Sequence, residues 1–351
     1  MRTLRPSLWL CILTVASWGG PPRPAFTCAN CHHSETQSQP RSAMGIGIEL
    51  PPDQVQLKAH PKLTFEKFGY TWTIDRRGDS SIYTVSDGSN SLSQPIYYAF
   101  GAGMQTFVFP YQGRMYESTV SYFPSLGGLA ITVGHEPRRP KSLVEALGRE
   151  TTDEEITACF GCHSSGAVRD GKLSLETARP GLDCEHCHAG ANAHQEAMAH
   201  GKTTPMPEKL GKMAAEDMSN FCGKCHRSWE QIVRMRQFGE ANLRFQPYRL
   251  ANSQCFLGND VRIRCTACHN PHVDAVQETA PYDHNCLACH ASKGAPASTT
   301  ASTTAKLQKA CPVAEKDCVT CHMPRRNLPL SPAVFTDHLI RVVRPGEAYP
   351  N

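Results

Sequence analysis

The sequence predicts a β-rich N-terminal module joined to a longer region of short helices and loops with sparse secondary structure. Three observations predict it. Residues 63–134 carry short aromatic and β-branched runs punctuated by Gly, Asp and Asn. Beyond residue 141 the texture changes to helix-sized segments that alternate with turns. Along the whole chain the pentapeptide Cys-x-x-Cys-His recurs seven times, six of them after residue 158.

In the first region strands are predicted at 63–68 and 70–74, leading into the turn residues Arg76-Arg77-Gly78-Asp79, and at 81–85, followed by Ser86-Asp87-Gly88-Ser89-Asn90. Further strands are expected at 95–100, 105–109, 115–123 and 129–133, and their close spacing argues for an antiparallel sheet. Helices are predicted at 142–147, 153–158, 191–200 and 230–237, with Thr152-Asp153 and Ser228 placed as N-caps. Residues 291–308 are Ala-, Ser- and Thr-rich and read as a solvated linker loop.

Each pentapeptide is the signature of covalent c-type haem attachment. The thiols form thioethers to the porphyrin, and the adjoining imidazole becomes the proximal ligand of the iron. The attachment cysteines are Cys28 and Cys31, Cys159 and Cys162, Cys184 and Cys187, Cys222 and Cys225, Cys265 and Cys268, Cys286 and Cys289, Cys318 and Cys321. The proximal ligands are His32, His163, His188, His226, His269, His290 and His322. Zinc sites also use paired cysteines but do not require His directly after the second, and here every pair has it. A disulfide framework suits a short secreted chain with little core, not 351 residues. The expected fold class is therefore a multihaem cytochrome: a β-rich N-terminal module plus a haem-packed region in which porphyrins replace much of the side-chain core.

The expected organisation is a signal peptide at 1–25, a first haem segment at 26–62, the β-rich module at 63–140 and a six-haem domain at 141–351. The first two motifs start 131 residues apart, whereas later gaps are 21 to 43. Arg2 and Arg5, the apolar run 8–16 and the small residues Ser17, Gly19, Gly20 and Ala25 have the layout of an export signal, too short to span a bilayer. Cys11 lies too early, after bulky Leu10, for a lipid anchor. An exported, soluble, periplasmic or extracellular protein is expected, and export agrees with c-type haem attachment. Outside the motifs and leader, Cys255 and Cys311 form an even pair, for which a disulfide is the expectation and a substrate-reactive thiol the alternative.

The formal charge of +4 does not count cofactors. Seven haems would add about 14 propionates and bring the total to about −10. Arginines are then read as propionate partners, and no nucleic-acid surface is expected.

Function turns on the second axial ligand, because two strong ligands make an electron carrier whereas an open position admits substrate. Of 16 histidines, seven are proximal and His186 lies inside a motif. The distal candidates are His60, His135, His194, His272, His284 and His338, with His33, His200 and Met44 as further candidates. His272, in Cys268-His269-Asn270-Pro271-His272, is too close to its own proximal His to reach the far side of that haem and is expected to serve a neighbour. The stretch 244–250 reads as Arg on propionates with Tyr248 on a porphyrin edge, or alternatively as an anion and proton site beside an open haem.

The seven motifs, Cys-His-Asn-Pro-His at 268–272, Cys-His-Met-Pro at 321–324 and Pro-Gly-Leu-Asp-Cys-Glu at 180–185 resemble exported multihaem cytochromes c, a group that includes tetrahaem carriers, hydroxylamine oxidoreductases and cytochrome c nitrite reductases. Segments 99–103, 116–118 and 134–135 resemble the β-rich insert of uncharacterised multihaem proteins, a likeness that covers nearly all of the chain after the leader. The resemblance implies electron transfer with other cytochromes or quinol-oxidising complexes as partners. The Cys-x-x-Cys-Lys motif that marks the active haem in many nitrite reductases does not occur, and no hydroxylamine-oxidoreductase tyrosine cross-link is located. With eight histidines for seven distal positions, conduction is the expected function. Competing readings are a reductase or oxidase of small nitrogen or sulfur compounds, marked by a high-spin haem, and a self-assembling filament subunit, visible by microscopy.

Overall fold

The computed structural model describes residues 27–203, 206–207, 209–256, 261–291, 311–344 and 346–350. The expected leader, Cys11 and most of the 291–308 linker lie outside these residues. Two antiparallel sheets form the first part. One runs β2 (Lys62–Lys67), β3 (Tyr70–Arg77), β4 (Ser80–Ser86) and β5 (Ser91–Pro95) as a meander. The other orders β1 (Ile48–Glu49), β6 (Tyr98–Phe100), β7 (Gln105–Tyr111), β8 (Arg114–Phe123) and β10 (Gly148–Glu150), with β9 (Gly128–Ile131) also paired to β8.

Alternation explains the sandwich. Along β3, Tyr70, Trp72 and Ile74 turn inward, and along β4, Tyr83 and Val85 do the same. They meet Phe107, Phe109, Tyr116, Val120 and Tyr122 of the second sheet in one core. Val108, between Phe107 and Phe109, faces the opposite side, where it joins Ile48 and Phe100 in a separate cluster. The predicted strand at 95–100 divides instead. β5 ends at Pro95 and β6 begins at Tyr98, because buried Ile96 passes the chain from one sheet to the other. The sheet also recruits strands from both flanking segments, β1 and β10, so the module extends past its expected bounds of 63–140. Gly148 permits the second junction, since a Cβ there would collide with Glu117 O on β8.

Short helices make up most of the rest. In chain order they are α1 (His33–Ser38), α2 (Ala43–Ile46), α3 (Val55–Ala59), α4 (Leu143–Leu147), α5 (Asp153–His163), α6 (Cys184–Cys187) and α7 (Ala191–Ala199), followed by α8 (Ala215–His226), α9 (Trp229–Met235), α10 (Gln246–Ala251), α11 (Cys265–Cys268), α12 (Asp283–His290) and α13 (Cys318–His322). The predicted caps form as reciprocal boxes, Thr152 with Glu155 and Ser228 with Gln231. Among the described residues no helix is long and apolar enough to cross a membrane.

Helix α5 fastens the two parts together. It buries Ile156 and Phe160 on the outer face of the second sheet, and Phe160 meets Tyr98 and Phe100 edge-on at 4.9 and 5.2 Å. Among the described residues, buried apolar side chains become sparse beyond Ala167, and two of them, Ala215 and Ala333, are small. Phe160→Ala is therefore expected to cost about 3–5 kcal/mol, because Phe160 sits in the only one of the three core clusters that joins the sheet to the second motif. Denaturant unfolding of the full chain measures it.

Candidate functional site

Each Cys-x-x-Cys-His is wound as a helical turn. In the first, third and fifth motifs the His N–H donates to the first Cys carbonyl: His32 to Cys28 at 2.8 Å, His188 to Cys184 at 2.8 Å and His269 to Cys265 at 2.9 Å. The second, fourth and sixth motifs close longer helices, α5, α8 and α12, and the seventh is α13 itself. At about 100° per residue, positions i, i+3 and i+4 fall within an arc of about 100°. Both thiols and the imidazole of each motif therefore leave one side of the turn. Asp183 caps the third motif, accepting from His186 N at 3.2 Å. Asp283, at the start of α12, accepts from the backbone N–H of Asp317 and Cys318 at 2.8 and 2.9 Å, which ties the sixth motif to the seventh.

The motifs are neighbours in an unbroken series. Cysteines of different motifs lie close enough to perturb one another's thiols: Cys28 and Cys184, Cys162 and Cys225, Cys222 and Cys265, Cys286 and Cys318. Cys187 lies within electrostatic range of Cys222 and Cys225, as Cys268 does of Cys286. The order in space is first, third, fourth, fifth, sixth, seventh, with the second beside the fourth. The first motif, far away in sequence, thus rejoins the others.

The segment after the first motif makes this closure. Gln39 Nε2 donates to Leu182 O at 2.5 Å, Leu182 N to Met44 O at 3.0 Å and Ala43 N to Asp274 Oδ1 at 2.6 Å. Gly181 permits the crossing: its φ is +70°, and a Cβ there would strike Gly45 O.

Ring nitrogens divide the histidines into two groups. Nδ1 bonds a carbonyl oxygen in His163 (Gly47 O, 2.8 Å), His322 (Arg341 O, 2.8 Å), His338 (Thr336 O, 3.0 Å), His272 (Asn270 Oδ1, 3.0 Å) and His200 (Glu196 O, 2.8 Å). A carbonyl only accepts, so Nδ1 carries the proton and Nε2 keeps a lone pair. His60 and His135 are held the other way. Their Nε2 atoms meet Tyr122 Oη at 2.8 Å and Glu117 Oε2 at 2.9 Å inside the β module. Neither, as placed, offers Nε2 to an iron, so the expectation that His135 ties this module to the haem region gives way to a link through α5.

Two candidates lie beside proximal histidines. The rings of His188 and His272 lie 6.1 Å apart and nearly parallel, at 5°. Those of His269 and His338 lie 6.2 Å apart at 43°. Burial lowers the pKa of His163, His226, His269 and His272, and takes His338 down to about 4, which favours the neutral ring in each. His194 has a buried Nδ1 without a partner, on the helix whose Gln195 reaches Cys28 Sγ at 3.1 Å. His33, His186, His200 and His284 are exposed, and Met44 lies on α2 against Leu182.

Sequence reading missed a buried ion cluster. Arg249 forks onto Asp337 at 2.9 and 3.1 Å, Arg341 reaches the same carboxylate at 2.8 Å, and Arg249 also donates to Pro350 O at 2.9 Å. Burial alone would raise Asp337, but these guanidinium bonds override it and hold the carboxyl below the ordinary value. Arg249 therefore has a protein partner rather than the propionate expected of it. Arg244 and Arg264 differ, since each keeps a buried Nε–H with no acceptor. Such unmatched cationic donors suit haem propionates. Cys255 and Cys311, expected as a disulfide, are separate thiols, and Cys255 lies near Cys286 and Cys289.

The donor set fits c-type haem: seven turns that gather two thiols and an imidazole, lone pairs directed by anchored Nδ1 atoms, and buried arginine Nε–H groups without an acceptor. Compared with protein-family models, with curated proteins and with solved structures, the chain matches none. Asp337→Ala strands the buried Arg249 charge and is expected to cost about 3–5 kcal/mol, whereas replacing Arg249 and Asp337 together by apolar residues restores much of the loss. Comparing denaturation midpoints of the single and double variants reads this.

Proposed function

We propose that the chain is an exported heptahaem cytochrome c that relays electrons from one redox protein to another. The observation that supports this reading is the closeness of the seven motif turns, six in a run from Cys28 and Cys184 through Cys222 and Cys265 to Cys286 and Cys318, with the second beside the fourth at Cys162 and Cys225. Each bound haem would supply an iron that cycles between ferric and ferrous states.

The chain's own residues do the rest. The paired cysteines fix each porphyrin covalently, and the helical turn sets the proximal imidazole beneath it. Gly47 O and Arg341 O hold His163 and His322 in one tautomer, which raises their basicity as ligands. Arg244 and Arg264 would neutralise propionates, and their buried Nε–H groups, in a region with little apolar filler, would tune potential through charge. The β sandwich supplies the rigid face against which α5 seats the second motif. The reading of the leader as an export signal supports attachment outside the cytoplasmic membrane.

The test is expression in a bacterial periplasm with c-type haem maturation. Intact mass is expected to show the chain plus seven haems, falling to six in Cys318→Ser/Cys321→Ser. An unmodified mass, or zinc retained by the cysteines, overturns the reading. Film voltammetry separates relay from catalysis: reversible waves support conduction, and a catalytic wave with nitrite or hydroxylamine would make the protein an enzyme.

A further inference from the structure

Two ring pairs have centre-to-centre separations equal to those of two imidazoles sharing one metal. An imidazole nitrogen lies about 1.1 Å from its ring centre, and histidine–metal bonds such as those to zinc are about 2.0–2.1 Å. Two imidazoles on opposite sides of one metal therefore have centres about 6.2 Å apart. His188 and His272 stand at 6.1 Å, and His269 and His338 at 6.2 Å.

Resting on the cytochrome reading, we propose that His272 is the distal ligand of the iron attached at the third motif, opposite His188, and that His338 is the distal ligand of the iron at the fifth, opposite His269. Both distal rings are aimed by their own Nδ1 atoms. Asn270 Oδ1 accepts from His272 Nδ1 at 3.0 Å and also from its backbone N–H at 3.0 Å, fixing ring and chain together. Thr336 O accepts from His338 Nδ1 at 3.0 Å, and Ser253 Oγ donates to His338 O at 3.0 Å. Among the described residues neither ring has a hydrogen bond at Nε2, the atom a metal would take. The preceding residue, Asp337, is clamped by Arg249 and Arg341, so the chain around His338 is rigid before any metal binds.

The pairing has a consequence for architecture. His272 follows the fifth motif yet serves the third, and His338 follows the seventh yet serves the fifth. Ligation would thus stitch three separate stretches of chain together, in a region where apolar side chains are too few to do so. It would close two haems to substrate, which places any open iron among the other five.

Holoprotein variants test it. His338→Gly and His272→Gly are each expected to keep seven haems by mass and to gain one high-spin ferric haem by electron paramagnetic resonance. The double variant is expected to gain two, and added imidazole to restore the low-spin signal. His186→Ala, at an exposed position outside the distal candidates, is expected to gain none. His338→Met and His272→Met keep a ligand in place if truncation prevents folding, and each is expected to raise the potential of one haem. Seven haems with no high-spin gain or potential change overturns the pairing alone, as does a holoprotein density map with either ring on another iron. A chain without covalent haem overturns the cytochrome reading and the pairing with it.

Discussion

A Cys-x-x-Cys-His pentapeptide can present two thiols and an imidazole to one body only if it is wound as a single helical turn. That constraint governs the chain beyond the β module. It explains why helices there are short, since a turn has only to present one side before the chain leaves for the next motif. It also explains where caps fall. Asp183 and Asp283 stabilise turns of four or five residues that would be marginal alone, and Asp283 does so for a neighbouring helix. Such turns cannot bury a stripe of side chains, so they need something else to pack on.

Two kinds of packing meet in the molecule. The N-terminal sandwich has an ordinary core in which Trp72, Tyr83, Phe107 and Phe109 are fully buried. The second part has little hydrocarbon of its own, and in it the paired thiols, facing rings and buried arginines cluster. The division of labour is physical. A sheet with two apolar faces can hold a core on one and receive α5 on the other, and through α5 it gives the second motif a fixed seat. The Arg249–Asp337–Arg341 cluster plays the matching part at the other end. A buried ion pair of this kind adds little net stability but fixes a single arrangement of α10 against the C-terminal segment.

Much of this was legible in the residues. Strand alternation around Trp72 and Tyr83, the turn at Gly78-Asp79 and the caps Thr152 and Ser228 are local signals, and the structure carries them nearly where the sequence places them. The motif positions were equally plain. What local signals could not carry was anything set by chain crossing. The exchange between sheets at Ile96, the return of residues 39–47 across Gly181, and the pairing of Arg249 with Asp337 join positions distant in sequence. A single sequence holds no trace of those partners, because Gly181 reads as a turn and Arg249 reads as any solvated cation.

The histidines show the same limit in sharper form. Counting them treated His60, His135, His272 and His338 as equals. Their ring nitrogens separate them. His60 and His135 spend Nε2 on groups that belong to the sandwich: Tyr122, whose hydroxyl would lose this partner if the ring turned away, and Glu117, which His135 shares with Arg149. His272 and His338 spend Nδ1 on oxygens within two residues of themselves, which aims the other nitrogen outward at no cost to any neighbouring element. A histidine anchored by its own local backbone or side-chain oxygen is free to serve a ligand, whereas one anchored across a sheet is structural. By that criterion the sandwich keeps its histidines for itself, and on the proposed cytochrome reading the distal ligands would come from the chain between and after the motifs.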